Sequence, residues 1–301
     1  MGRAGPPHRP GAAGTPTPTG GSSGSGGSGG SGGVGGSGGA GGETTSGGGG
    51  TTPQGGTAGA ETGGTAPTAG AAGSAGNGVD PVRTDRGLQV LYTFEHGNGD
   101  TIADVSGVGT PLDLTIADTS VVTWQSGSLL IDGNTIASSS APAEKIVTAC
   151  KASNELSIEA WVEAESVDQI GPAVIATVSE NADLRNLALG QNGAMWDVRV
   201  RMDDTNESGV PQTSVYPVTT DLTHIVYTLD ADGRLTVYLD GEIRWLTSSA
   251  GGLQSWDETY APALANENTG DPHWQGTLHL VAVYCSALTR TEVTGNFLAG
   301  P

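Results

Sequence analysis

Apolar and polar residues alternate in short runs along the later part of this chain. Leu156, Ile158, Ala160 and Val162 share one face of a predicted strand, with Glu155, Ser157, Glu159 and Trp161 on the other, because successive side chains of an extended backbone point to opposite sides. Trp196, Val198, Val200 and Met202 oppose Asp197, Arg199, Arg201 and Asp203 in the same way. Runs rich in β-branched and aromatic residues at 88–94, 223–229, 235–239 and 278–284 predict further strands. Asp230-Ala-Asp-Gly233 and Asp240-Gly241 are turn signals on either side of Leu235–Leu239. A helix is predicted only at the end, where Thr289 and Glu292 make a capping-box pattern ahead of Val293 and Phe297, with Gly300 as a stop. Many short strands at regular spacing predict an all-β sandwich of two antiparallel sheets.

Composition divides the chain. Of its 51 glycines, 32 fall in residues 1–78, a segment whose apolar residues larger than alanine are Met1 and Val34. Such a sequence cannot bury enough surface to offset an ordering entropy of about 1–2 kcal/mol per residue, so residues 1–78 are expected to be a disordered tail or stalk and 79–301 the folded domain. The charge lies in the domain: the tail's Arg3, Arg9, Glu43 and Glu61 cancel, which leaves the net −20 to residues 79–301. That acidity repels phosphate backbones and argues against a nucleic-acid partner. No run reaches the ~18–20 apolar residues of a transmembrane span. The start, Met-Gly-Arg-Ala-Gly-Pro-Pro-His, has no apolar core to serve as an export signal, whereas a Gly/Ser/Thr/Pro tract ahead of a β domain is typical of stalks on exported proteins. The expectation is an extracytoplasmic or cell-surface protein whose start site is misassigned. Cys150 and Cys285, the two cysteines, are compatible with a disulfide or with separate thiols, but their spacing does not make a zinc site.

Several motifs resemble the laminin G-like, concanavalin A-like lectin/glucanase jelly rolls. They are Leu91-Tyr-Thr-Phe-Glu95 with Gly97-Asn-Gly99 and Asp104-Val-Ser-Gly107, then Leu156-Ser-Ile-Glu-Ala-Trp-Val162. Thr223-His-Ile-Val-Tyr227 ahead of Leu235-Thr-Val-Tyr-Leu-Asp-Gly241 resembles that family's hairpin. Val281-Ala-Val-Tyr284 with Ala287-Leu-Thr and Glu292-Val resembles its closing strand and short helix. The resemblance runs through about residues 88–299 and implies a two-sheet antiparallel jelly-roll sandwich. It departs at His279 and Leu280, where family members often carry an acidic pair. The family's arrangement sets the closing strand antiparallel to the Leu156–Val162 strand, which implies a Cys150–Cys285 disulfide.

The candidate chemistry is spare. Glycosidases of the superfamily use a Glu-x-Asp-x-Glu strand, but the match here, Glu155-Leu-Ser-Ile-Glu159, has Ser157 at its centre. Its two Glu stand roughly 13 Å apart at strand rise, beyond the ~5–9.5 Å of either glycosidase mechanism. They read as solvated residues, and no enzymatic activity is expected. A hydrolase would need Glu159, Arg199 and Arg201 to converge in one groove. Asp104, in its Gly-rich turn, is the first calcium candidate, and Asn266, Glu267 and Asp271 form a second oxygen-rich loop; an Asx-turn is the plainer alternative for Asp104. Trp256, Tyr260 and Trp274, in the irregular stretch 248–276, and Trp161 beside Glu159 are candidate ligand-binding residues. The alternative is that they plug the sandwich. The expected protein is a monomeric binding or adhesion module for carbohydrate or a surface protein, the alternatives being a divergent glycan-active hydrolase of the same superfamily and a structural cell-surface spacer with no ligand.

Overall fold

The computed structural model describes residue 2, residues 81–269 and residues 272–301. The expected disordered tail, Gly2 apart, and Asp271 lie outside the described residues. The chain divides into two units, Met1–Ala71 and Ala72–Pro301, and the described fold belongs to the second.

In chain order the strands are β1 (Leu88–Tyr92), β2 (Thr101–Ile102), β3 (Leu114–Ile116), β4 (Val122–Gln125), β5 (Ser128–Ile131), β6 (Ala137–Ser138), β7 (Leu156–Ala164) and β8 (Gln169–Ser179). They continue as β9 (Arg185–Gly193), β10 (Met195–Val200), β11 (Thr213–Pro217), β12 (Thr223–Leu229), β13 (Arg234–Leu239), β14 (Glu242–Ser248), β15 (Ala261–Leu264) and β16 (Gly276–Tyr284). The α-helices are α1 (Glu144–Ser153) and α2 (Arg290–Ala299). One sheet runs β14-β13-β12-β7-β16-β5-β4, with β1 also paired to β16, and the other runs β11-β10-β9-β8-β15-β6-β3-β2. The named strands pair antiparallel throughout, so the predicted sandwich is the observed one.

The alternating residues do what their period requires. Leu156, Ile158, Ala160 and Val162 of β7 join Trp196, Val198 and Val200 of β10 in one core between the sheets. The closing strand β16 lies antiparallel to β7, with Ala282 opposite Glu159 and Tyr284 opposite Ser157.

Two features depart from the sequence reading. The outer face of β7 is not open: Trp161, Val226, Tyr238, Ala282, Tyr284 and Val293 form a second buried cluster, with Phe297 of α2 packed on it. Helix α2 closes this face with the predicted capping box, Thr289 Oγ1 accepting from Glu292 N while the Glu292 carboxylate accepts from Thr289 N. Helix α1 was not predicted. Ala143, its N-cap, makes no side-chain cap, and the buried stripe Ile146, Val147 and Cys150 is short. Tertiary contact holds it in place. Cys150 is bridged to Cys285, just beyond β16, as the family resemblance implied.

Candidate functional site

The five ligand-binding candidates from the sequence are all buried. Trp161 clusters with the ring of His224, 4.7 Å away, and that of Phe297, 5.6 Å away, and those two rings lie 5.8 Å from each other. Trp256, Tyr260 and Trp274 fill the core, at 2%, 4% and 0% exposure. Trp256 also donates from Nε1 to the Arg201 carbonyl at 2.8 Å. They plug the sandwich because the stretch carrying them folds back over the sheets, and no solvent-facing aromatic surface is left among them.

Glu159, read as solvated, is fully buried. Its carboxylate pairs with the Arg83 guanidinium and with His224 Nε2 at 2.8 Å. It also accepts from Tyr284 Oη at 2.8 Å and Asn296 Nδ2 at 2.8 Å. Burial pushes the carboxyl's pKa up, but the His224 bond and the charges of His224 and Arg83 outweigh it and hold the value at about 2. This set shuts a charge inside the protein and fastens α2 down. Arg199 pairs with Asp197 in the other sheet, and Arg201 reaches toward Glu207. Glu159, Arg199 and Arg201 therefore do not converge in one groove.

The calcium candidates have other duties. Asp104 forms an ion pair with Lys145 Nζ at 2.6 Å and accepts from the backbone N–H groups of Leu91, Ser106 and Leu112. Burial raises its pKa, while Lys145 and the N–H bonds lower it by more. The Lys145 ammonium thus lies directly against the Asp104 carboxylate, and Asp104 also makes the Asx-turn to Ser106. Glu267 is buried against Arg185 Nε at 2.8 Å, and Asn266 binds Asn134 through Nδ2. Among the described residues, no group of three or more His, Cys, Asp or Glu is placed to hold a metal ion.

The site best suited to a ligand is one the sequence reading missed. Trp124 of β4, the last strand of one sheet, and Ile102 of β2, the last of the other, line a cleft of about 240 Å³ together with Phe94, Glu95, His96 and Val105. Trp124 Nε1 donates to the Gly99 carbonyl at 2.9 Å, which sets the orientation of the indole. Glu95 and His96 are exposed at the rim. Between them and β1, Phe94 sits at φ +55°, a conformation that costs energy for a bulky residue and marks a turn held by its surroundings. Trp124 alternates with Thr123 and Gln125 and, like Val122, is partly buried against the core, so its sequence pattern did not mark it as lining a cleft. An indole face with a carboxylate and an imidazole at its edge can take an apolar ring face while bonding to its hydroxyls.

The sequence profile of the concanavalin A-like lectin/glucanases superfamily matches residues 132–294. That is more than half of the chain, which belongs to this family. No curated protein sequence matches it. Among solved structures, domain 4 of an extracellular GH43 arabinanase from Geobacillus stearothermophilus, in complex with arabinotriose, superposes at TM-score 0.50 and 18% identity, over 70% of this chain and 98% of that one. Botulinum neurotoxin type C, described for its interaction with two ganglioside molecules, superposes at TM-score 0.50 and 13% identity, over 70% of this chain. The binding domain of botulinum neurotoxin DC, in complex with rat synaptotagmin II, does so at TM-score 0.50 and 10% identity, over 71% of this chain. This chain spans about half of the neurotoxin chains, 51% and 52%. At these identities the likeness establishes the fold.

Proposed function

We propose that the folded unit is a non-enzymatic carbohydrate-binding module, presented outside the cytoplasm at the end of its Gly-rich segment. The observation that carries the reading is the Trp124 cleft: an oriented indole at the mouth of the sandwich, with polar groups at its edge and room for about one sugar ring. Its described lining contains a single carboxylate, Glu95, whereas glycoside hydrolysis ordinarily employs a pair. The neighbours bound to arabinotriose or described with gangliosides agree with a sugar ligand, and the one bound to synaptotagmin makes a protein ligand the next reading. The buried Cys150–Cys285 disulfide supports an oxidising compartment.

A glycan array probed with the wild-type chain and with Trp124→Ala tests this. Binding of at least one glycan is expected, weakened about tenfold or more by the substitution, equivalent to about 1.4 kcal/mol. Binding that survives Trp124→Ala unchanged would place the site elsewhere, and release of reducing sugar from any bound glycan would make the protein an enzyme.

A further inference from the structure

We propose that Asn98-Gly99 is a self-modifying site: it converts without an enzyme to an aspartate or isoaspartate linkage, and the conversion releases the Trp124 indole from its fixed orientation. An asparagine followed by glycine is prone to this reaction, because glycine has no Cβ to hinder its own nitrogen as it approaches the preceding side chain. Residues 79–301 contain the pair twice, at Asn98-Gly99 and at Asn192-Gly193. The structure sets the two apart.

Asn98 and Gly99 are exposed in the loop between β1 and β2. Gly99 sits at φ +89°, and no atom beyond its chain neighbours lies within 4 Å of where a Cβ would stand. Among the described residues, neither the Asn98 side chain nor the Gly99 N–H has a hydrogen-bond partner. Nothing therefore holds the two reacting groups apart. Asn192 is the opposite case. It is half-buried in β9 and laddered to Met195 of β10, while Gly193 pairs with Gln169 of β8. Closing a ring there requires the sheet to open locally, a cost that the exposed loop does not carry.

The step needs only water. Gly99 N bonds to Asn98 Cγ, the Cγ–Nδ2 bond breaks, and the Gly99 amide proton leaves with the side-chain NH₂ as ammonia. Water then opens the cyclic imide. Cleavage of the new N–Cγ bond gives aspartate; cleavage of the original peptide C–N bond gives isoaspartate, in which the main chain runs through Cγ and is one carbon longer. The Gly99 carbonyl is the group that accepts from Trp124 Nε1 at 2.9 Å. Lengthening the chain just ahead of it displaces that acceptor, and the new carboxylate joins Glu95 and Asp100 in the same loop. The Trp124 cleft thereby loses its oriented indole and gains negative charge. That this regulates ligand binding rests on the carbohydrate reading of the cleft; the modification itself does not.

Incubating the full chain in neutral buffer without ligand, then following each tryptic Asn-Gly peptide by mass spectrometry and isoaspartate by enzymatic methylation, tests the proposal. Conversion at Asn98 is expected to run at least about tenfold faster than at Asn192, the margin that a local opening cost of about 1.4 kcal/mol imposes. In the isotopically labelled chain, the Trp124 indole N–H resonance, assigned with Trp124→Phe, should move in step with isoaspartate. Asn98→Gln, whose longer side chain closes the ring far less readily, should keep both its mass and its resonance. Equal rates at Asn98 and Asn192, or conversion at neither, overturn the site. Conversion that leaves the Trp124 resonance in place overturns the release. Neither readout uses a ligand, so failure here is distinct from failure of the carbohydrate reading.

Discussion

Arg83 and Glu159, 76 residues apart, form an ion pair on the outer face of β7. The contact joins the entry of the chain into the domain to the middle of a sheet. Around it Thr84 N donates to Asn296 Oδ1, Arg86 pairs with Glu292, and Ser286 Oγ donates to the Arg86 carbonyl. The segment ahead of β1 is thereby locked to α2 and to the end of β16. Removing one member of a buried pair strands the other charge, at a cost of about 3–5 kcal/mol. Glu159→Gln and Arg83→Ala are each expected to destabilise the protein by roughly that amount, as measured by chemical denaturation. A change well under 1 kcal/mol would show that the pair contributes nothing.

The same carboxylate sets an acid dependence. An unfolded Glu titrates at about 4.3, and folded Glu159 at about 2, so the unfolded chain binds the proton more readily. Its contribution is complete above the unfolded value and is lost as pH falls toward the folded one. Stability measured from pH 5 down to about pH 2 should decline in wild type and decline less in Glu159→Gln. Parallel curves would remove Glu159 as the cause.

The Cys150–Cys285 bridge closes a loop with a sequence separation of 135. The chain-entropy model gives such a loop about 4–5 kcal/mol, an upper figure. Replacing both cysteines with serine should lower the melting temperature and loosen α1 first, seen as faster hydrogen exchange at Ile146 and Val147. Unchanged exchange in α1 would mean that its packing, not the bridge, holds it.

Calcium is expected to leave the domain's melting curve where chelator leaves it, because Lys145 already neutralises Asp104. Asp104→Ala should destabilise equally in both conditions by freeing Lys145 and three backbone N–H groups. A melting temperature that rises with calcium in wild type and not in Asp104→Ala would restore the metal site.

Deleting residues 1–78 is expected to shift the melting temperature by no more than a degree or so, since that segment has no apolar surface to dock. A fall of several degrees would mean that it packs on the domain.

The sequence by itself determined the fold. Period-two alternation in β7 and β10 assigned the inward residues correctly, because a one-residue slip would turn every core side chain outward. The capping box placed α2, and the family motifs implied the pairing of β16 with β7 and so the disulfide. The sites were decided only by the tertiary structure. A period-two pattern tells which side of a strand a residue occupies and not what lies over that side. Glu159 and Trp161 sit on the expected face but are covered by α2 and by residues some seventy positions upstream. Trp256, Tyr260 and Trp274 looked available on an irregular stretch that folds back into the core. Asp104 found its cation on α1, a helix whose short stripe and uncapped start left little local signal. Trp124 lines an open cleft because β4 ends one sheet and β2 the other, and that order is set by pairings between residues far apart in the chain.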